Sequence, residues 1–193
     1  MTDTDELAVA LRAVAQAFET LGVTWAIGGS IASVFYGEPR ATNDVDVVTD
    51  LDEPTARRLA TLLAGAFYAD EDAMVDAVRR RGSFNLIDGR TFIKIDVFTP
   101  GPGPLGRGQL DRRRMGAIFP GDAPLPVLGP EDTVLQKLRW YQLTGGTSDR
   151  QWRDVLAVLR LAGELDHDYL DSVATAGGLR DLLARARQDA ATR

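Results

Sequence analysis

The sequence predicts an α+β chain with a helical C-terminal part. Three observations carry that reading. Strand-like and helix-like apolar patterns alternate up to residue 98, a hairpin signal closes that stretch, and every pattern beyond residue 130 has helical spacing. A chain of 193 residues suits one compact domain with a helical appendage, and a hydrophobic fraction of 45% is ordinary for a globular protein.

The elements follow in order. Residues 5–20 carry Leu7, Leu11, Val14 and Phe18 at helical spacing, with Leu21 following and Gly22 placed as a C-terminal cap. Val23 to Ile27 reads as a buried strand, stopped by Gly28 and Gly29. Ser30 to Tyr36 reads as a short helix broken by Gly37 and Pro39. The β-branched run at 44–49 predicts a second strand. Pro54 to Phe67 is helical, with Leu59, Leu62, Leu63 and Phe67 on its apolar face, and Met74 to Arg80 is a further helical piece. Residues 83–98 predict a β-hairpin turning at Asp88-Gly89. In its second arm Ile93, Ile95 and Val97 face one way, and Phe92, Lys94, Asp96 and Phe98 the other. Residues 99–108 form a Pro/Gly-rich loop. The prolines between 120 and 130 mark a boundary, giving a core over 1–130 and a helical part over 131–193. Helices are expected over 131–143, 148–161, 168–174 and 179–188.

Composition narrows the chemistry. The chain has no cysteine, so disulfides and cysteine-ligated metals are excluded, and a single histidine, His167, leaves little room for a histidine relay. His167 itself reads as an exposed residue at a helix boundary. The start of the chain lacks the pattern of a signal peptide, and no apolar run has the length of a membrane span. The expectation is a cytoplasmic protein with no membrane partner. With 22 basic and 28 acidic residues the net charge is −6, which argues against a broad nucleic-acid surface. Arg79 to Arg81 and Arg112 to Arg114 are the local basic patches, and a solvated surface is the simpler account of both.

Chemistry concentrates where the first strand ends. Gly28-Gly29-Ser30 passes from a strand into a helix, where free N–H groups, a close main-chain approach and a hydroxyl can cradle a phosphate. Asp44 and Asp46 follow on a strand and project from one face. Adjacent carboxylates repel, and a divalent cation bound with a triphosphate relieves that repulsion. Asp96 lies in an otherwise apolar strand. It completes a three-acid cluster if that strand lies beside 44–49, or it pairs with Lys94 on its own face. Trp25, Trp140 and Trp152 read as packing residues rather than base-stacking platforms, and burial is the simpler account of Tyr141.

These residues resemble a known group. GGS, a short helix, the R-x-T-x-D-x-D run from Arg40 through Thr42 to Asp46, and an aspartate on a later strand look like the polymerase-β-type nucleotidyltransferase superfamily. Within it the similarity is to AbiEii-like and related bacterial nucleotidyltransferases. Pro130-Glu131-Asp132 with Lys137-Leu138 resembles that group's P-E-D-x-x-x-x-K-L helix, and Arg150, Trp152 and Asp154 resemble its R-x-W-x-D helix. The resemblance covers roughly residues 20–160. It implies a mixed sheet flanked by helices. It also implies that Gly28, Gly29, Ser30, Arg40, Thr42, Lys137 and Asp154 serve the nucleotide, and that Asp44, Asp46 and Asp96 bind Mg2+ or Mn2+ and carry catalysis. Two residues keep a second reading: Lys137 on a solvated helix face, and Asp154 paired with Arg150 one turn earlier.

Three functions follow. The first is transfer of a nucleoside monophosphate from a nucleoside triphosphate to a hydroxyl on RNA (a tRNA end), protein or a small molecule by two-metal catalysis, with a role in a toxin–antitoxin system. The second is a non-catalytic antitoxin or regulatory binding protein on the same fold. The third is an antibiotic-modifying nucleotidyltransferase, whose acceptor pocket would include the loop at 99–125.

Overall fold

A computed structural model describes residues 3–42, 44–106 and 108–192, without the side chains of the first two. In chain order its elements begin with α1 (Asp3–Leu21), β1 (Trp25–Ile27), α2 (Gly29–Tyr36) and β2 (Val45–Thr49). Next come α3 (Glu53–Leu63), β3 (Phe67–Tyr68), α4 (Glu71–Arg80), β4 (Ser83–Asp88), β5 (Lys94–Phe98) and α5 (Gly108–Asp111). The chain continues with β6 (Arg114–Gly116), β7 (Leu125–Val127), α6 (Pro130–Leu143), α7 (Asp149–Leu161), α8 (His167–Ala176) and α9 (Arg180–Ala191).

The strands form one mixed sheet in the order β3-β4-β5-β2-β1-β7-β6. β2 runs antiparallel to β1 and parallel to β5, while β7 runs parallel to β1. Alternation along the strands gives the sheet two unlike faces. Val45, Val47, Ile95, Val97 and Leu86 point into the main core beneath α1, α3 and α4, against Leu11, Phe18, Leu59 and Met74. On the other face Ala26, Val48 and Leu128 make a small apolar patch with Leu110, and Asp46 and Asp96 lie beside it. The helices α6 to α9 share an apolar cluster of their own, including Leu135, Leu138, Val155, Val158, Leu170 and Leu183.

Capping fixes several boundaries. Asp52, Asp70, Ser148 and Asp166 accept N–H bonds at the starts of α3, α4, α7 and α8. Three details differ from the sequence reading. The helix expected to reach Phe67 stops at Leu63, because Gly65 at φ 85° turns the chain and delivers Phe67 to an edge strand. The hairpin does not turn in two residues at Asp88-Gly89. The Asp88 carboxylate accepts from the N–H groups of Arg90 and Thr91 and from the Thr91 hydroxyl, so the turn runs to Ile93. The stretch before residue 130 is more than a boundary: β6 and β7 pair there as a hairpin, and β7 extends the sheet beyond β1. Strands of three residues are too short for period-two patterning to register, and Pro126 argues against a strand on propensity.

Candidate active site

Asp46 and Asp96 sit directly opposite one another on adjacent parallel strands, one residue pair from the start of the ladder between β2 and β5. Each is half-buried, with Val45, Val47, Ile95 and Val97 anchoring the alternation from behind. Asp44 precedes β2, is exposed, and lines the same cavity. The three carboxylates expected from the sequence therefore share one wall. Burial, followed by repulsion from Asp96, pushes the Asp46 carboxyl above its ordinary value, with Lys137 and the Ser30 backbone N–H acting the other way. Asp96 also accepts from Lys94 Nζ at 2.7 Å, the ion pair that the sequence offered for this residue.

The glycines also have a structural use. Gly29 has φ 53°, and a Cβ there would lie 1.7 Å from Asp46 Oδ2. Its missing side chain makes room for the Asp46 carboxylate. Gly28 caps α2 without a side chain, and its N–H bonds Asp46 O at 2.8 Å, tying the helix start to β2. Ser30 Oγ accepts from Arg40 Nη2 at 2.8 Å and Arg150 Nη2 at 3.1 Å, which leaves its own O–H to donate.

Behind that wall lies a buried ionic cluster. Arg40 grips Asp154 through Nε at 2.9 Å and Nη2 at 2.8 Å, and Lys137 Nζ reaches the same carboxylate at 2.8 Å. Both alternative readings of these residues fail: Lys137 is buried rather than on a solvated face, and Asp154 pairs across the fold instead of with Arg150. Burial opposes ionisation of Asp154, but its two cations hold the carboxyl below the usual range; burial lowers Lys137, and Asp154 offsets part of that. Thr42 bonds the Asp44 carbonyl at 3.3 Å and steadies the approach to β2; Asn43 of the same motif lies outside the described residues.

The wall belongs to a cavity of about 790 Å³, bounded by the sheet, the start of α2, α6, and the loop from Thr99 to Gly106. Gly29, Ser30, Asp44, Asp46, Asp96 and Lys137 line it, whereas Gly28, Arg40, Thr42 and Asp154 stand behind and hold those groups. Sequence reasoning missed two members. Trp140 is 45% exposed and lines the cavity edge-on to Phe98 at 6.2 Å, not in the core. Arg150 reaches the cavity because the start of α7 packs beside α2. Its place in the R-x-W-x-D run was the available signal. Trp25 and Tyr141 are buried as expected, and His167 is exposed at the start of α8.

The donor set suits a hard divalent cation. Among the described residues no three acidic or histidine side chains close around a common point. Mg2+ does not need such a cage: it is usually held by one or two carboxylates together with substrate phosphates and water. Asp46 facing Asp96, with Asp44 alongside, supplies that partial set, and a cation would relieve the repulsion that still raises Asp46.

A mixed sheet with helices on its faces, two carboxylates paired across adjacent strands and a glycine-serine helix start beside them define a nucleotidyltransferase-fold protein. The family model for the nucleotidyl transferase AbiEii toxin of type IV toxin–antitoxin systems matches residues 12–192, and the chain belongs to that AbiEii nucleotidyltransferase family. Among solved structures, the antibiotic-resistance factor ANT(2'')-Ia superposes with a TM-score of 0.60 at 12% identity, covering 97% of this chain and 99% of that one. The same factor in complex with adenylyl-2''-tobramycin gives 0.55 at 12% identity, covering 95% and 98%. An antigenic nucleotidyltransferase-like protein from Paracoccidioides brasiliensis gives 0.57 at 22% identity, covering 95% and 93%. At these identities the likeness is one of fold. No curated protein matches the chain. Among the described residues no helix is long and apolar enough to cross a membrane.

Proposed function

We propose that this chain transfers a nucleoside monophosphate from a nucleoside triphosphate to a hydroxyl acceptor, in the cytoplasm, as part of a toxin–antitoxin system. One observation carries the proposal: Asp46 and Asp96 oppose each other beside the Gly29–Ser30 helix start, on the wall of a single large cavity. Carboxylates so placed destabilise the empty protein, and a metal–triphosphate complex relieves them.

The Gly29 N–H and the Ser30 hydroxyl face the triphosphate, while Gly28, bonded through its N–H to Asp46 O, holds the turn that presents them. Lys137, fixed by Asp154, supplies a point charge for a phosphate. Arg40, Thr42 and Asp154 position these groups from behind. Asp44, Asp46 and Asp96 would hold Mg2+ or Mn2+, which when bound would polarise the α-phosphate and stabilise the departing charge. The acceptor oxygen attacks the α-phosphorus, its proton passes to the Asp96 carboxylate, and the bond to the β-phosphate oxygen breaks. Pyrophosphate leaves with that electron pair. The helical part, 131–193, contributes Lys137 and the far wall of the cavity to the 1–130 core.

A second reading, modification of an antibiotic, is favoured by the fold shared with ANT(2'')-Ia over nearly the whole of both chains. The binding-protein reading is weakened by the acid set, since a retired site has no reason to keep two opposed carboxylates. The test is incubation with labelled nucleoside triphosphates, Mg2+ or Mn2+, and tRNA, protein and aminoglycoside acceptors. Label transfer with pyrophosphate release is expected, and its loss in an Asp44→Asn/Asp46→Asn variant that still folds. Absence of transfer to every acceptor class, or unchanged activity in that variant, refutes the assignment.

A further inference from the structure

Three cations surround the start of α2, and two of them share a carboxylate. Arg40 and Lys137 both bond Asp154, so one buried carboxylate serves them both. The third, Arg150, stands in the first turn of α7, exposed and on the cavity wall, with Nη2 3.1 Å from Ser30 Oγ. Among the described residues no carboxylate pairs with it. Helical spacing offers it Asp154 four residues on, but the fold commits that carboxylate to Arg40 and Lys137.

We propose that Arg150 directly contacts the outer phosphates of the nucleoside triphosphate, the part that leaves as pyrophosphate. The inference rests on the transferase reading above. The reacting α-phosphate belongs beside Asp46 and Asp96, where the metal-binding and proton-accepting groups lie. The phosphates beyond it then run over the Gly29–Ser30 helix start, and Ser30 is the residue that Arg150 touches. A planar guanidinium offers two parallel donors to phosphate oxygens, and an uncompensated one has its full charge to give. Charge builds on the β-phosphate oxygen as its bond to the α-phosphorus breaks, so this cation favours the transition state over the bound substrate. An exposed side chain can also follow the product out.

The test is calorimetry in Mg2+ with three probes: a non-hydrolysable triphosphate, pyrophosphate and a nucleoside monophosphate. Arg150→Ala is expected to weaken triphosphate and pyrophosphate binding by about tenfold or more, and monophosphate binding by less than about twofold. Arg153→Ala removes an exposed arginine from the same helix and is expected to leave all three within about twofold. Matching thermal melts establish that the variants fold. Wild-type triphosphate affinity in Arg150→Ala overturns the proposal, as does an equal loss for all three probes. If Arg150 acts only by orienting Ser30, adding Arg150→Ala to Ser30→Ala produces no further loss, and that result also overturns it. A wild-type protein that binds no triphosphate sinks the transferase reading itself, a separate outcome from wild-type binding that ignores Arg150.

Discussion

Asp154 holds two cations in a site where its own side chain is 8% exposed, and that of Lys137 is 6% exposed. Removing one partner strands a buried charge, whereas replacing both with apolar groups removes the need for either. Asp154→Ala is expected to cost about 3–5 kcal/mol, and Lys137→Met/Asp154→Leu, which leaves only the partly exposed Arg40 without its partner, distinctly less, as read from urea unfolding. The same pair shapes the acid edge of stability. With its folded value held below the ordinary one, Asp154 contributes fully above the unfolded carboxylate value, near 4, and that contribution is lost as pH falls through the folded value. Asp154→Asn is therefore expected to show a flatter stability profile below about pH 4. A double variant as unstable as Asp154→Ala would show that packing, not charge, sets the cost.

At the scale of elements, the β4–β5 turn carries a cost unconnected with the site. Phe92 has φ 59° and is 78% exposed, a left-handed conformation with no packing in return. The conformation costs an L-residue roughly 1–2 kcal/mol, and the extra chain entropy of glycine offsets roughly 0.5–1 of that. Phe92→Gly is expected to raise the melting temperature by about 2–4 °C, and a fall would mean that the ring makes contacts its exposure hides. The basic patches also resolve at this scale. Arg79 pairs with Glu53, Arg80 with Asp76 and Arg81 with Asp50, so that patch is a set of surface pairs. Arg112 departs from the solvated-surface expectation: it bonds the buried Asp132 and lies over the Tyr169 ring, fastening the segment before β6 to α6 and α8.

Across the whole molecule the sheet separates stability from chemistry. One face builds the main core; the other carries opposed acids that the fold tolerates at a cost. Because the Asp46 value is raised, its penalty is absent below the ordinary carboxylate value and grows as pH rises through the raised one. Without metal at pH 7, Asp46→Asn is expected to be more stable than wild type by up to about 1 kcal/mol, the gap closing near pH 4. With Mg2+ and triphosphate at a hundred times the dissociation constant the order reverses, because binding adds about 2.7 kcal/mol to wild type alone. Melting curves under both conditions check the crossing. A variant less stable than wild type in the absence of metal contradicts the idea that repulsion is stored there.

The α+β class, the helices of the C-terminal part and the residue types of the candidate site can be read along the chain, because period, caps and acids in apolar strands are local signals. Gly28-Gly29-Ser30, Asp44 and Asp46 were legible for that reason, and Asp96 once its strand was recognised. Packing is what brings Asp96 opposite Asp46 across adjacent parallel strands, gives Asp154 to Arg40 and Lys137 instead of Arg150, and turns Trp140 and Arg150 to the cavity. Pairing between separate elements depends on how those elements pack. Spacing along one helix cannot reveal that competing partners, brought from other elements, take the same carboxylate.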